Sequence, residues 1–245
     1  MIFLPSSGTS FACKRNQIKK NDFKFASRSS FGIRLLESIR AMEGSTAETF
    51  KKSRTIYFPG EPAKKIYLIR EGAVRLSRVY ESGEENFVSL LREDCLFGVL
   101  SLTDNLQTKR KYHAKALTSV VLEAAPISSI KKAIAANTNI GFLLLQGLSN
   151  RVMQTESIIE SLTHKDISSK LVNYLLLLCK DFGVSAGTSI VINLHISHQE
   201  IADAIGSTRV SVTRLIGKLK HLGLLTVHRK KIIILDHMKL ANRFK

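Results

Sequence analysis

Tryptophan is absent from this 245-residue chain, and cysteine and proline are scarce, at three and four residues. The cysteines, Cys13, Cys95 and Cys179, are odd in number, far apart and without metal-ligand spacing, which argues against a disulfide framework and a zinc site. Cys95 and Cys179 lie in apolar surroundings and read as small core residues in a chain that works in a reducing compartment. No run approaches the ~18 apolar residues of a membrane span. The longest, around 140–148 and 174–179, are too short. Enzyme patterns are missing as well. The seven histidines are scattered, with no HExxH spacing, no nucleophile–histidine–acid neighbourhood and no glycine-rich phosphate loop. The expectation is a non-enzyme with no metal, no catalytic residues and no bound cofactor.

Acidic residues are also few: 20 against 37 Lys and Arg, for a net charge of +17. Such a balance favours an anionic partner, either nucleic acid or an anionic membrane surface. A solvated basic surface is the bland alternative, but the charge is uneven. Residues 195–245 hold ten Lys and Arg against three acids. The first thirty residues hold six Lys and Arg, one acid (Asp22) and many Ser and Phe. They read as a disordered basic extension or a transit-like segment, outside the folded part. With 44% hydrophobic residues, the remainder can bury a real core.

Residues 31–126 read as the first domain. From Thr55 to Glu123, short β-rich runs are punctuated by Pro59-Gly60, Glu71-Gly72 and Ser82-Gly83, the pattern of an antiparallel barrel or sandwich. Residues 127–165 follow as one long helical stretch from about Ile127 to Leu162. Leu144, Leu148, Arg151, Thr155, Ile158 and Leu162 recur in steps of four and three, the spacing of a coiled-coil seam. An amphipathic helix packed within one chain would show the same stripe. Arg151 in mid-stripe needs a counter-charge, either Glu156 or a bound anion. In residues 166–245 a helix is expected over about Ile167 to Phe182, stopped by Gly183. A strand is expected over Ser189–Ser197, and a hairpin around the basic turn Arg229-Lys230-Lys231.

Between the last two lies the most specific signal. Ser197-His198-Gln199-Glu200 has the Ser-x-x-Glu form of a capping box. It opens a short helix to Ala204, with Ile201 and Ala204 inward. Gly206 permits a tight bend, and Ser207 can cap a second helix from about Thr208 to His221, ended by Gly223. Val212, Leu215, Ile216 and Leu219 form its buried stripe. Two short helices joined by such a turn make a helix-turn-helix, whose second helix enters the major groove. Arg209 and Arg214 lie off the stripe. A guanidinium fork can donate two bonds to guanine O6 and N7, worth ~1–3 kcal/mol of discrimination. Thr208, Ser211 and Thr213 are short hydroxyl residues that let the backbone approach phosphates. Lys218, Lys220 and the Arg229–Lys231 turn are suited to phosphate contacts. Charges gathered on a compact reading helix favour duplex DNA over a membrane.

The order of these parts, with "YFPGEPAKKIYLI", "GAVRLSRVYESGEE", "FGVLSL", "LSNRVMQTE", "CKDFGV" and "SHQEIADAIGSTRVSVTRLIGKL", resembles the cAMP receptor/FNR superfamily of transcription regulators. Within it, the nitrogen-regulator branch of cyanobacteria and its plastid relatives is most similar, over roughly Thr55 to Ile234. The resemblance implies an α+β chain: an N-terminal antiparallel β-barrel of the cyclic-nucleotide-binding jelly-roll type, a long dimerisation helix and a C-terminal winged helix-turn-helix. It implies a homodimer on a palindromic operator of GTA…TAC type and contact with RNA polymerase. Ser197, His198, Gln199, Ser207, Thr208, Arg209, Val210, Ser211, Thr213, Arg214 and Lys218 form the candidate DNA-binding set.

The resemblance also implies an effector. In the cyclic-nucleotide branch the pocket phrase is Phe-Gly-Glu. Here Val99 stands where that Glu would hold a ribose hydroxyl, and Lys111 follows Arg110, so cAMP does not fit. The nitrogen-regulator branch binds 2-oxoglutarate. By similarity, the backbone N–H groups of Phe97, Gly98, Val99 and Leu100 and the Arg110 guanidinium would hold a carboxylate. Arg151 and Glu156 match further pocket positions, one of them contributed by the partner subunit. A ligand-independent or otherwise-liganded regulator of the same superfamily is the alternative. The Lys/Ile-rich, Trp-free composition is that of an AT-rich genome, which favours a plastid stroma over a bacterial cytoplasm.

Overall fold

The computed structural model describes residues 29–103, 109–164 and 166–242. The expected disordered extension over residues 1–30 therefore lies almost entirely outside the described residues, as does most of the basic 104–111 loop. Ser30, its last member, is not extended but opens helix α1, Ser30–Arg40. The Ser29 hydroxyl caps that helix by accepting from the Gly32 N–H and donates to the Asp94 carboxylate at 3.1 Å. Leu35 and Ile39 then bury the apolar face of α1.

Eight strands follow: β1 Thr46–Phe50, β2 Thr55–Tyr57, β3 Lys65–Glu71, β4 Val74–Val79, β5 Glu85–Leu91, β6 Leu96–Phe97 and, after the short helix α2 Leu100–Thr103, β7 His113–Ala116 and β8 Val120–Pro126. They pair antiparallel in two sheets, ordered β1-β8-β3-β6 and β2-β7-β4-β5. Tyr57, Ile69, Val74, Leu76, Leu91, Phe97 and Leu122 fill the space between them. The jelly-roll architecture is as expected. A closed barrel is not formed, because no ladder joins the two sheets among the described residues. Gly72 (φ +90°) makes the β3–β4 reversal in a backbone region that only glycine adopts at little cost.

The single helix expected from Ile127 to Leu162 is two: α3 Ile127–Ala136 and α4 Thr138–Leu162. The break falls at Asn137, which is extended (φ −147°, ψ 103°) and whose side chain caps α4 by accepting from the Asn139 N–H at 3.0 Å. Asn-Thr-Asn competes with helical continuation through such local side-chain bonds. The apolar stripe of α4 also differs from the expected seam. Leu144 is buried against α1 and α3 of its own chain, and Leu148 and Arg151 turn partly inward. The outward face carries Phe142, Leu145, Val152, Met153 and Ile159.

Helix α5, Ile167–Phe182, is capped by Asp166, which accepts from the Ser169 N–H at 2.8 Å. Gly183 ends it in an extended conformation, not a left-handed one, and leads straight into β9, Gly183–Ala186. The glycine is required there because a Cβ would run into the Cys179 carbonyl. The strand expected to reach Ser197 stops at Ile192 as β10, Ser189–Ile192. Helices α6 His198–Ile205 and α7 Arg209–His221, strands β11 Leu225–His228 and β12 Lys231–Ile234, and helix α8 His237–Asn242 complete the chain. The C-terminal sheet runs β11-β12-β10-β9. Its core includes Leu171, Leu175, Ile201, Val212, Ile216 and Ile234, and it takes in Ala73, Leu90 and Leu117 from the sandwich. The two lobes thus share one apolar cluster, each buried leucine worth about 1.5–3 kcal/mol.

Candidate nucleic-acid interface and effector pocket

Helix α6 opens with a complete capping box. The Ser197 hydroxyl accepts from the Glu200 N–H at 3.2 Å, and the Ser197 N–H donates to the Glu200 carboxylate at 2.7 Å. Gly206, left-handed at φ +63°, turns the chain. The cap of α7 is Thr208 rather than Ser207: its hydroxyl accepts from the Ser211 N–H at 3.2 Å. Ser207 Oγ is buried without a hydrogen-bond partner. Thr208 can cap because it is the residue in extended backbone immediately before the helix (φ −97°, ψ 149°). Val212, Ile216 and Leu219 are buried, while Leu215 is half-buried against the same core.

This packing turns Arg209, Val210, Thr213, Arg214 and Lys218 to solvent, with Val210 77% exposed. Among the described residues no acid pairs with Arg209 or Arg214, so both guanidinium groups are available to a ligand. Thr213 Oγ donates to the Arg209 carbonyl at 2.8 Å and lies 2.8 Å from His198 Nδ1. With that hydroxyl proton committed, the imidazole donates through Nδ1–H. The His198 pKa is lowered, first by burial and then by Arg209 and Lys220. Gln199 Nε2 donates to Asp203 Oδ1 at 2.7 Å. The wing turn between β11 and β12 places Arg229 (φ 47°) and Lys230 (φ 63°) in left-handed backbone, the geometry of a tight hairpin turn.

A second cluster lies between the sandwich and α4. Arg110 is 7% exposed. Its guanidinium donates to the Lys65 carbonyl at 2.6 Å and the Gly98 carbonyl at 3.2 Å, and stacks over the Tyr57 ring at 4.4 Å. From α4, Arg151 Nη1 donates to the Leu96 carbonyl at 3.0 Å. The two arginines thus grip the same short segment, Leu96 to Gly98, through the carbonyls that flank Phe97 in the chain. Burial pushes the Tyr57 phenol up to about 12, against the opposing pull of Arg110 and Arg151. Among the described residues neither arginine has a carboxylate partner. Glu156 does not meet Arg151; it is exposed on the outward face of α4. Phe97 is fully buried, Gly98 and Val99 are half-buried, and Leu100 is exposed. Gly98 takes φ +75°, and a Cβ there would collide with the Arg110 guanidinium.

Three groups went unseen in the sequence. Tyr57 and Tyr67 wall the Arg110 site, with Phe97 stacked on Tyr67 at 5.1 Å. Glu85, His113 and Thr55 form a row across the second sheet, with His113 Nδ1 2.8 Å from Glu85 and Nε2 3.0 Å from Thr55. Finally, Arg75 bridges the lobes to Asp203, and Arg92 to Asp181. No local spacing announces any of these, since each pairs residues far apart in the chain.

A jelly-roll sandwich with a pair of inward-turned arginines, a long helix and an exposed reading helix define a DNA-binding transcription regulator. The Crp-like helix-turn-helix domain matches residues 169–243, and the cyclic nucleotide-binding domain matches residues 47–137. A global nitrogen regulator of Nostoc sp. (strain PCC 7120) is 50% identical over 197 residues, covering 80% of this chain and 88% of the relative. One from Synechocystis sp. (strain PCC 6803) is 51% identical with the same coverage. Among solved structures, a CRP/FNR-family transcriptional regulator from Thermus thermophilus is 29% identical with a TM-score of 0.66, covering 81% of this chain and 98% of the other. The chain belongs to the CRP/FNR family of transcription regulators, close to the global nitrogen regulators. No helix among the described residues is long and apolar enough to cross a membrane.

Proposed function

We propose that this regulator is a homodimer that binds 2-oxoglutarate and, in response, binds palindromic operators of nitrogen-assimilation genes and contacts RNA polymerase. Residues 31–126 hold the effector, 127–165 dimerise, and 166–245 read DNA. The observation that carries the effector reading is the convergence of Arg110 and Arg151, without carboxylate partners among the described residues, on the Leu96–Gly98 backbone. A dicarboxylate suits two forked cations, because charge-assisted bonds to a guanidinium are about twice as strong as neutral ones. Gly98 and the N–H groups of residues 97–100 take one end of the ligand. Glu156, pointing away from its own Arg151, is supplied to the pocket of the partner subunit.

A ligand held between sandwich and α4 shifts the rotation of the two α4 helices only through unequal affinity for the two arrangements. That rotation sets the separation of the two α7 helices against half-sites about one helical turn apart. The Lys/Ile-rich composition and the likeness to plastid regulators support a plastid stroma as its compartment. Binding to a GTA…TAC palindrome, measured with and without 2-oxoglutarate, tests the reading. Tighter binding with ligand supports it; unchanged affinity overturns the effector assignment and leaves a ligand-independent regulator.

A further inference from the structure

Helix α4 turns a second polar side chain inward just beyond Arg151. Residues three apart on a helix share a face, so Gln154 follows Arg151 along the side that meets the sandwich. Gln154 is half-buried and bonds both lobes. Its Nε2 donates to Asp181 Oδ2 of α5 at 2.8 Å and, more weakly, to the Leu90 carbonyl of β5 at 3.5 Å. Its Oε1 faces the Cys95 thiol at 3.8 Å. Burial pushes the Cys95 thiol up, so the sulfur keeps the proton with which it donates. A side-chain amide whose NH₂ and carbonyl are both engaged is fixed in one orientation.

These partners belong to the two units that a regulator must coordinate. Cys95 precedes Leu96, whose carbonyl Arg151 holds. Two consecutive residues of the pocket segment are therefore contacted by two side chains on one face of α4. Asp181 lies in the last turn of α5. Leu171, Leu175 and Leu178 of that helix sit in the core that seats α6 and α7. The Asp181 carboxylate is shared: Oδ2 accepts from Gln154, and Oδ1 pairs with Arg92 of the sandwich at 3.1 Å. One carboxylate of the reading lobe is thus tied to α4 and to the sandwich through different oxygens. A shift of α4 against the sandwich alters the first tie and leaves the second.

We infer that Gln154 is the positioning residue that carries the state of the effector pocket to the reading lobe. The inference deepens the effector reading and rests on it. A dicarboxylate competes with the neutral Leu96 carbonyl for the Arg151 guanidinium, because a charged acceptor makes the stronger bond. Arg151 and Gln154 stand on one continuous helix, so a change in how α4 seats on Leu96 moves Gln154 against Asp181. Among the described residues, Gln154 bonds neither Arg110 nor a residue of α7. It therefore sets the coupling between the two sites and not the affinity at either one. The coupling exists only because its bond to Asp181 differs between the two seatings of α4.

The test uses full-length protein as wild type, Gln154→Leu, Gln154→Glu and the double variant Gln154→Glu, Asp181→Asn. Affinity for the GTA…TAC duplex is measured with and without saturating 2-oxoglutarate, and affinity for 2-oxoglutarate by calorimetry without DNA. Wild type is expected to bind the duplex at least about fivefold tighter with ligand. Gln154→Leu cannot make the hydrogen bonds. It is expected to bind 2-oxoglutarate alone as wild type does, and to bind the duplex with an affinity that ligand leaves unchanged. Gln154→Glu sets two carboxylates against each other and is expected to be uncoupled too. In the double variant an amide at position 181 donates to a carboxylate at position 154. That restores the native bond with its polarity reversed, and the ligand response is expected to return, which a merely structural role would not produce. A full response in Gln154→Leu, loss of ligand binding itself in that variant, or no return in the double variant overturns the inference. If Gln154→Leu does not fold, the comparison of Gln154→Glu with the double variant decides. Wild type that binds the duplex equally with and without ligand overturns the effector reading, a result distinct from a responsive wild type with equally responsive variants.

Discussion

Arg75 of strand β4 reaches from the sandwich to Asp203 of helix α6, Nη2 to Oδ2, at 3.2 Å. The same guanidinium donates from Nε to Ser77 Oγ at 3.1 Å and lies over the Phe87 ring. Asp203 in turn accepts from Gln199, a residue of the candidate DNA-binding set. The sandwich therefore touches the reading lobe through a bond to the carboxylate that also holds the Gln199 side chain. Arg75→Ala and Asp203→Asn should each destabilise the chain, but the double variant should lose less than the sum. A coupling of about 1 kcal/mol is expected, read by urea unfolding of all four forms. Additive losses would show that the bridge contributes nothing of its own.

Gly98→Ala tests the pocket. Its left-handed backbone costs a non-glycine residue about 1–3 kcal/mol, and the added methyl displaces the Arg110 guanidinium. Calorimetry with 2-oxoglutarate should show binding weakened by at least about tenfold. Wild-type affinity in this variant would remove Arg110 from the ligand site.

Arg209→Ala and Arg214→Ala should flatten base preference across a panel of operator variants, by about 1–3 kcal/mol at the contacted position. Lys218→Ala should weaken all sequences alike and shallow the salt slope by about one. The reverse pattern would exchange the roles of these cations.

The reading lobe was legible because its signals are local. A capping box, a left-handed glycine and an apolar stripe lie within about 25 consecutive residues, and each specifies its own geometry. The cap shifted by one position because Ser207 and Thr208 are chemically equivalent choices, and only the backbone at Thr208 decides between them. The seam on α4 was misplaced for a different reason. Steps of four and three mark both faces of this helix, and the sequence does not say which face its own α1 and α3 cover. Leu144 turned inward and Phe142 outward. The break at Asn137 was overlooked because apolar periodicity continues across it. Arg110 and Arg151 were found by likeness to known regulators, whereas the tyrosines around Arg110 come from distant strands.

Proton linkage gives a signed expectation. His195 and His198 have pKa values lowered from the ordinary 6.5, burial being the first cause and neighbouring cations the second. The folded state thus prefers neutral rings. Their contribution to stability is full above pH 6.5 and fades as pH falls through the lowered folded values. DNA phosphates would offset the cations and raise both pKa values, so binding takes up protons. Operator affinity should rise as pH falls from about 7.5 to 6, by up to about tenfold per pH unit for each proton taken up. His195→Gln with His198→Gln should flatten that rise; an unaltered pH profile in the double variant would sink the linkage.

The outward face of α4 sets the last expectation. Phe142, Leu145, Val152 and Ile159 recur in steps of three and seven, each more than half exposed in the single chain. A stripe of this kind on a 25-residue helix is covered when two copies pack along it. Val152→Glu places a charge in the middle of that face without touching Leu144 or Arg151, which pack within the chain. Sedimentation should then show a monomer. Affinity for a palindrome should fall to that for a single half-site, because a dimer gains the second contact at high effective concentration. Val152→Leu should remain dimeric. If Val152→Glu sediments as a dimer, the two copies meet elsewhere, and Glu156, on the same face, could not be supplied to the partner's pocket by this route.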